Sequence, residues 1–239
     1  CFVEKKPRRM TFETARKAVD FFLGREVSGS EYRLQINFFG GEPFLEPDLM
    51  EEVAQYARRR RPNGARRIDL SATTNGTLSS PRIEDLVRKH RVSLLYSLDG
   101  GPEVTALDRP FVSGRSSYDV ATRNLGRFLE CSPDLLVRTT FHPGALDLVG
   151  RVEHLLGLGA PQIALCPVMD WSWEAHEEAT EEAFARLGRW VLGHASEAAL
   201  PPLELTRRLL LDWHAHRSGA PRPRRPGART PGGEGGPPP

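Results

Sequence analysis

The alternation of apolar and polar positions along the chain predicts an ordered series of strands and helices. Short apolar runs bounded by turn-forming or charged residues predict five strands, at 34–39, 68–73, 92–98, 135–141 and 162–166. Elsewhere, apolar residues recur at intervals of three and four, as on one face of a helix. This spacing predicts helices that begin near residues 12, 47, 81, 117, 145, 174 and 203.

Residues that favour helix starts support several of these assignments. Thr11 and Ser80 each precede a helical pattern and can accept a hydrogen bond from a first-turn amide. Pro47 and Pro81 fall in the first turn, where a missing backbone N–H has no cost. The helices that begin near 12, 117, 145, 174 and 203 are predicted to end near residues 23, 130, 157, 195 and 216.

Strands that alternate with helices predict an α/β fold with a parallel sheet and right-handed crossovers, either doubly wound or curled into a barrel. Polar or glycine-rich segments follow four of the five strands: "GGEP" at 40–43, "TTNGT" at 73–77, "SLDGG" at 97–101 and "TTFHPG" at 139–144. In a barrel every strand contributes to the ligand site at its carboxyl end. This pattern favours a barrel, either complete or incomplete.

The "GGEP" segment has two interpretations. As a turn between strand and helix, it uses glycine for a positive φ and proline to restrict the preceding residue. As a ligand site, Gly40 and Gly41 let bare backbone approach a bound molecule, and Glu42 supplies a charge for an ammonium group. The segment alone favours the turn.

The other polar segments leave similar alternatives open. Asn75 is a turn-former or a ligand-facing side chain, and Ser97 and Asp99 lie two apart on one face of a strand end. Those two residues either cap the next segment or contact a sugar or a carboxylate-bearing ligand. Arg109 is by itself an arginine in a loop, and His142 has no partner at a metal-ligand spacing, so we predict no zinc site.

Composition and charge narrow the class of protein. The 239 residues have a formal net charge of +2, but residues 217–239 hold five Arg and one Glu, so the rest is slightly acidic and unlike a nucleic-acid binder. No run approaches the roughly 18 apolar residues of a membrane span, and no apolar signal region begins the chain. We therefore predict a cytoplasmic protein that binds neither nucleic acid nor membrane.

The two ends of the chain lead to separate predictions. Residues 217–239 contain 13 Gly or Pro, which predicts a disordered tail, with a basic docking segment as the alternative. The three cysteines, Cys1, Cys131 and Cys166, suggest no disulfide framework. A first residue that is Cys rather than Met predicts that the sequence starts inside a longer one.

Taken in order, the motifs resemble the radical S-adenosylmethionine (radical SAM) superfamily, and within it the anaerobic sulfatase maturases and the peptide maturases with a cysteine-rich C-terminal "SPASM" extension. The resemblance covers residues 1 to about 170. It is carried by Cys1-Phe2, "MTFETARKAVDFFL" (10–23), "INFFGGEPFL" (36–45), "TTNGTL" (73–78), "SLDGGPE" (97–103), "RPF" (109–111), "GRSSYDVATRNLGRFL" (114–129) and "IALCPVMD" (163–170).

The resemblance implies a partial (β/α)6 TIM-like barrel of parallel strands whose first strand is missing. It also implies a 4Fe-4S cluster held by three cysteines spaced C-x3-C-x2-C, with Cys1 at the third position, and S-adenosylmethionine (SAM) bound at the open iron. Reductive cleavage would give a 5′-deoxyadenosyl radical that modifies a peptide or protein side chain. The electron would come from a reductant of the flavodoxin or ferredoxin type.

Roles for individual residues follow from the same resemblance. Gly40, Gly41 and Glu42 would receive the SAM ammonium group. Arg109 would offer a fork to the SAM carboxylate. The remaining cofactor contacts would come from Ser97 at the ribose or methionine region, Asn75 and Asp99 on the same face, and Pro167, Val168 and Met169 at the adenine ring.

Three departures limit the resemblance. Two of the cluster cysteines and the first strand are absent, so the chain as given is not expected to hold a cluster. Thr105 and Ala106 replace the His-Asp pair of the family, and no cysteine follows Cys166 to build a SPASM extension. No catalytic base can be named.

The sequence thus predicts a radical SAM core over residues 1–170, a helical segment over 171–216 and the tail. The leading hypothesis is part of a radical SAM enzyme resembling the sulfatase maturases. Two alternatives stay open: a truncated, non-catalytic barrel remnant without a cluster, and an ordinary TIM-barrel enzyme that uses Asp99 and Arg109 on a small anionic substrate.

Overall fold

A computed structural model describes residues 9–24, 33–60, 67–168 and 172–194 of the chain. Strands and helices alternate along these residues. The strands are β1 (Arg33–Phe38), β2 (Arg67–Thr74), β3 (Ser93–Ser97), β4 (Leu136–Phe141) and β5 (Gln162–Pro167). The helices are α1 (Phe12–Leu23), α2 (Pro47–Arg59), α3 (Pro81–His90), α4 (Pro102–Asp108), α5 (Tyr118–Cys131), α6 (Leu148–Gly157) and α7 (Glu177–His194), with 3-10 turns at Pro43–Leu45 and Glu174–His176.

The five strands form one parallel sheet in the order β1-β2-β3-β4-β5. A doubly wound sheet reverses its strand order at a switch point, and this sheet does not. Right-handed crossovers without a reversal place the connecting helices on one face. The sheet is therefore an arc of a barrel, and within the described residues it does not close. This confirms the predicted incomplete barrel.

Side-chain alternation separates the two faces of the arc. On β4, Val137, Thr139 and Phe141 are buried, while the residues between them are half-buried. Val137 and Phe141 pack with helix residues in the main apolar core, which includes Tyr96 of β3 and Phe128 of α5. The other set faces the concave side of the arc. In (β/α) barrels, ligands bind at the carboxyl ends of the strands.

A second, smaller cluster joins the first two helices. Ala15 and Val19 of α1 pack with Val53 and Ala57 of α2. At the other end of the described residues, α7 adds Ala183, Leu187 and Val191 to the main core. Among the described helices, none combines the length and the apolar character that a membrane span requires.

The predicted caps are confirmed by direct contacts. The Thr11 side chain accepts a hydrogen bond from the Thr14 amide at the start of α1, and the Ser80 side chain accepts one from the Ile83 amide at the start of α3. Pro47 and Pro81 lie in the first turns of α2 and α3.

Some predicted boundaries were wrong. Helix α4 was not predicted, although Gly101 and Pro102 stand where helix-start residues are common. Helix α6 begins at Leu148 rather than 145, because the Asp147 side chain caps it by accepting a hydrogen bond from the Gly150 amide. Glu174–His176 forms a 3-10 turn before α7.

Several predictions concern residues outside the described part of the chain. These are Cys1, Met169, the helix beginning near 203 and the tail at 217–239.

Candidate ligand-binding site

Glu42 is anchored at the carboxyl ends of β1 and β2. Its Oε1 accepts hydrogen bonds from the Phe44 amide at 3.2 Å and the Thr74 hydroxyl at 3.0 Å, and its Oε2 accepts one from the Asn75 amide at 2.8 Å. Burial is the main effect on this carboxyl and raises its pKa, and the three donors oppose that shift. The carboxylate therefore holds the ends of two strands together.

The two glycines before Glu42, Gly40 and Gly41, do not have the backbone conformation that the turn interpretation expected. Neither has a positive φ, so glycine is not needed there for a left-handed backbone. A Cβ placed on Gly40 or Gly41 would meet no atom within 4 Å. The backbone of this segment thus borders open space, which a bound molecule could occupy.

Asn75 acts as a turn-former, one of the two interpretations that the sequence allowed. Its Oδ1 accepts hydrogen bonds from the amide of Thr77 at 2.9 Å and from the Thr77 hydroxyl at 2.7 Å. The next residue, Gly76, has a φ of +72°, and a Cβ there would collide with the hydroxyl and the ring of Tyr96. Only glycine fits this position. The turn therefore has a defined shape next to Glu42.

Asp99 is the centre of a second polar cluster, at the ends of β3 and β4, and is only 1% exposed. Its carboxylate accepts hydrogen bonds from Arg109 Nε at 2.6 Å and Nη2 at 3.1 Å. It also accepts hydrogen bonds from the Thr140 amide at 2.7 Å and the Thr140 hydroxyl at 2.8 Å. Arg109 is thus paired within the protein.

Arg151 of α6 supports this cluster from the helix side. Its guanidinium donates to the main-chain oxygens of Asp99, Thr140 and Ala145. Burial lowers the pKa of Arg151, and the negative charges of Asp99 and Asp108 oppose that shift. The helix residue therefore fixes the backbone of the loop after β3.

The structure brings the predicted residues into two clusters on neighbouring strand ends. Glu42 and Asn75 form one, and Asp99 and Arg109 form the other. Ser97, 4% exposed, precedes the second cluster on β3 and is the register neighbour of Arg138 on β4. Met169 lies outside the described residues, so its predicted contact stays a prediction.

Sequence reasoning included Thr74 and Thr140 only as members of the polar segments 73–77 and 139–144, and it missed Arg151 and the neighbouring strand residue Arg138. For the strand residues a signal existed. In "VRTTF" (137–141), Arg138 and Thr140 alternate with residues that face the helices, and such alternation places them on the concave face. Arg151 lies in an amphipathic helix, and nothing in the sequence marks it as a contact of the strand ends.

The described residues do not supply ligands for an iron-sulfur cluster. Cys131 lies on α5 and Cys166 on β5, and no group of three His, Cys, Asp or Glu side chains in the described ranges could hold a metal. His142 Nε2 lies 3.4 Å from Asp108 Oδ1 and is partly buried with it. Cys1, the predicted cluster ligand, is outside the described part of the chain.

The model of the radical SAM superfamily matches residues 1–147. The chain belongs to this superfamily. The match includes the strand ends that carry both polar clusters.

Two curated relatives give the comparison more detail. A radical SAM cyclopropyl synthase from Paramaledivibacter caminithermalis is 30% identical over 94 residues, which cover 39% of this chain and 19% of the relative. A serine-type anaerobic sulfatase-maturating enzyme from Klebsiella aerogenes is 28% identical over 163 residues, which cover 66% of this chain and 40% of the relative. The chain therefore spans less than half of either relative.

Solved structures support the fold. A structure of native anSMEcpe with bound AdoMet and Kp18Cys peptide matches with a TM-score of 0.63 and 19% identity, over 71% of this chain and 47% of that one. A second, of anSMEcpe with bound AdoMet, has the same TM-score. The partial radical SAM barrel is thus the fold of this chain.

Proposed function

We propose that this chain forms the SAM-binding core of a radical SAM enzyme that modifies a peptide or protein side chain. The observation that carries the proposal is the position of Glu42. Its carboxylate is held by amides and a hydroxyl at the ends of β1 and β2, directly after two glycines that border open space. The superfamily match supports this interpretation.

The polar groups at the carboxyl ends of β1 and β2 fit the amino-acid end of SAM. An ammonium group needs acceptors, and the segment offers the Glu42 carboxylate together with the backbone carbonyls of Gly40 and Gly41. The Ser97 side chain lies on the concave face at the end of β3 and would contact the ribose or methionine part. Asn75 and Asp99 shape the two neighbouring loops. Met169 is proposed to contact the adenine ring.

A 4Fe-4S cluster is proposed only for the whole protein. The described residues hold no set of thiolates for it, and Cys1 lies outside them. When present, such a cluster supplies the electron that cleaves SAM to a 5′-deoxyadenosyl radical. What this chain's own residues do is bind SAM and orient it at the carboxyl ends of the strands.

The relatives and solved structures that resemble this chain support a peptide or protein substrate. One relative is a sulfatase-maturating enzyme, and one matching structure contains a bound peptide. We propose a reductant of the flavodoxin or ferredoxin type as the electron source.

The test uses the protein encoded by the complete open reading frame that contains this chain. After anaerobic reconstitution with iron and sulfide, the protein is incubated with SAM and dithionite, and 5′-deoxyadenosine is measured by chromatography. We expect 5′-deoxyadenosine in the presence of reductant, and short peptides that contain Cys or Ser are then screened for a mass change. A protein that binds no SAM and forms no 5′-deoxyadenosine would contradict the proposal.

Two variants test whether SAM binds in the open space beside Glu42. Gly41→Val fills the open space beside Glu42 and is expected to weaken SAM binding without unfolding the protein, because no protein atom lies within 4 Å of its Cβ. Gly193→Ala, at an equally open position in α7, is the matched control and should bind SAM as the unmodified protein does. Equal binding by both variants would place SAM elsewhere.

A further inference from the structure

A cavity of about 460 Å³ lies at the amino ends of β2 and β3, at the edge of the sheet opposite to Glu42 and Asp99. Its volume falls within the range of roughly 300–1,000 Å³ that small-molecule sites have in proteins. Ser93, in the cavity wall, is the first residue of β3, and Ser97 is the last. At about 3.3 Å per residue, the two lie about 13 Å apart along the strand. The cavity is therefore separate from the clusters at the carboxyl ends.

Two arginines in the cavity wall have donors that no described residue uses. Arg58, in the last turn of α2, donates from Nη2 to the main-chain oxygen of His90 at 2.8 Å, which leaves its other nitrogens available. The Arg91 side chain makes no hydrogen bond or ion pair with any described residue. Asp69 is the one acidic side chain among the described lining residues. Two positive charges against one negative charge favour an anion as the occupant.

The backbone of Arg91 shows that its side chain is not needed to end α3. Arg91 follows the last helical residue with a φ of 51° and a ψ of 52°, and among the described residues other than glycine it alone has a positive φ. Glycine is usual at such a position, because a side chain there has a steric cost. The Arg91 backbone N–H donates to the carbonyl of Arg88, as a glycine could. The helix end therefore does not explain an arginine here.

His90 and Ser93 add polar atoms to the same wall. His90 is 3% exposed, and its Nε2 lies 3.0 Å from Glu51 Oε1. Hydrogen bonds from Lys89 and His90 lower the pKa of Glu51 to about 2, so this carboxylate only accepts, and Nδ1 of His90 is left as an acceptor. That Nδ1 is buried and has no partner among the described residues, and neither does the Ser93 hydroxyl. Buried polar atoms without a partner are rare, so a polar ligand is expected at this wall.

We propose that this cavity is a second ligand site, which binds the phosphate group of a small phosphate ester. The oxygens of a tetrahedral phosphate point in several directions, so they can accept from Arg58, Arg91 and Ser93 together. A planar carboxylate is already satisfied by one guanidinium fork. Ile68 and Leu70 line the same cavity and suit the organic part of an ester. The site is independent of the proposed SAM site, since SAM carries a positive sulfonium and a positive ammonium group.

The experiment compares compounds with and without a phosphate group. Glycerol phosphate and ribose 5-phosphate are the probes, glycerol and ribose are the matched compounds, and inorganic phosphate is the free ion. Binding to the protein from the complete open reading frame is measured by phosphorus NMR and calorimetry. We expect at least one ester to bind and neither phosphate-free compound to bind. If neither ester binds at millimolar concentration, the proposal is wrong.

Arg91→Gly is the decisive variant, because glycine suits the left-handed backbone and keeps the backbone N–H that caps α3. We expect the affinity for the bound ester to fall about 10- to 100-fold, the range for a hydrogen-bonded charge, while the midpoint of thermal unfolding stays unchanged or rises. Arg58→Lys keeps the charge but not the planar fork, so its loss should be smaller. Arg123→Gln, at an exposed position of α5, is the matched control and should leave the affinity unchanged.

The other outcomes are distinct from one another. Unchanged ester binding by Arg91→Gly overturns the proposal, and a lower unfolding midpoint together with unchanged binding would give Arg91 a structural role in α3. Inorganic phosphate that binds as tightly as either ester would overturn the assignment to an ester. SAM binding by Arg91→Gly should equal that of the unmodified protein, because the two sites lie at opposite ends of the strands. The proposed function therefore stands or fails separately from this site.

Discussion

Arg109 donates two hydrogen bonds to the buried carboxylate of Asp99, from Nε to Oδ2 at 2.6 Å and from Nη2 to Oδ1 at 3.1 Å. The pair joins the loop after α4 to the end of β3. Thr140 adds two donors from the end of β4. A carboxylate that is 1% exposed is thus compensated entirely by the protein, and its partners cannot be removed without cost.

Arg109→Gln is expected to destabilise the fold by about 2–3 kcal/mol, because it leaves the charge of Asp99 with only the Thr140 donors. The free energy of unfolding in urea measures the loss. The double variant with Asp99→Asn should lose less than the sum of the two single variants, since both remove the same contact. Additive losses would mean that the two side chains act independently.

Glu42→Gln tests the raised pKa of the anchored carboxyl. Because burial raises the pKa of Glu42 above its ordinary value of 4.5, the folded protein keeps a proton that the unfolded chain releases. The contribution of Glu42 to the free energy of unfolding is therefore present at low pH. It falls as the pH rises from about 4.5 through the pKa of Glu42 in the folded protein. The unfolding free energy of the unmodified protein minus that of the variant should fall over this window.

The control for that titration is Glu181→Gln, at an exposed position of α7. Its unfolding free energy should follow the unmodified protein at every pH. A difference between the unmodified protein and Glu42→Gln that does not change with pH would show that Glu42 titrates normally.

Glu51→Gln should give the opposite pH dependence. Hydrogen bonds from Lys89, His90 and Gln55 lower the pKa of Glu51 from its ordinary value of 4.5 to about 2. The contribution of Glu51 to the free energy of unfolding is present above pH 4.5 and is lost as the pH falls toward 2. The unfolding free energy of the unmodified protein minus that of Glu51→Gln should therefore shrink on acidification. A difference that grows on acidification would contradict this assignment.

Gly76→Ala is expected to destabilise the protein by about 2–5 kcal/mol. This range adds the cost of holding alanine in a left-handed backbone conformation to the cost of an overpacked contact. The added Cβ would lie 2.1 Å from the Tyr96 hydroxyl, and that ring is completely buried. The Tyr96 hydroxyl also donates to the Ala121 carbonyl at 2.6 Å, so the ring cannot move without losing this contact. Thermal or urea unfolding measures the effect.

Gly126→Ala provides the comparison. Gly126 lies inside α5 with nothing within 4 Å of its Cβ, so alanine there should stabilise by about 0.5–1 kcal/mol. Equal effects of the two substitutions would mean that the Tyr96 contact does not restrict residue 76.

Much of the fold could be predicted because local physics determines it. The apolar period separates strands from helices, and the caps at Thr11 and Ser80 depend only on residues three positions away. Polar segments after successive strands correctly indicated the barrel rather than a doubly wound sheet. The α4 helix was missed because its seven residues contain too few apolar positions to show a period.

The sequence by itself thus determined the series of elements apart from α4, the parallel barrel, and most of the residues that meet at the strand ends. It could not determine which of those residues pair with one another. Asp99 and Thr140 are 41 positions apart, and Arg151 contacts Asp99 from 52 positions away. Such contacts depend on the register of β3 against β4 and on the docking of α6. Only the tertiary structure therefore decided that Arg109 pairs with Asp99 and that Arg138 Nε has no acceptor among the described residues.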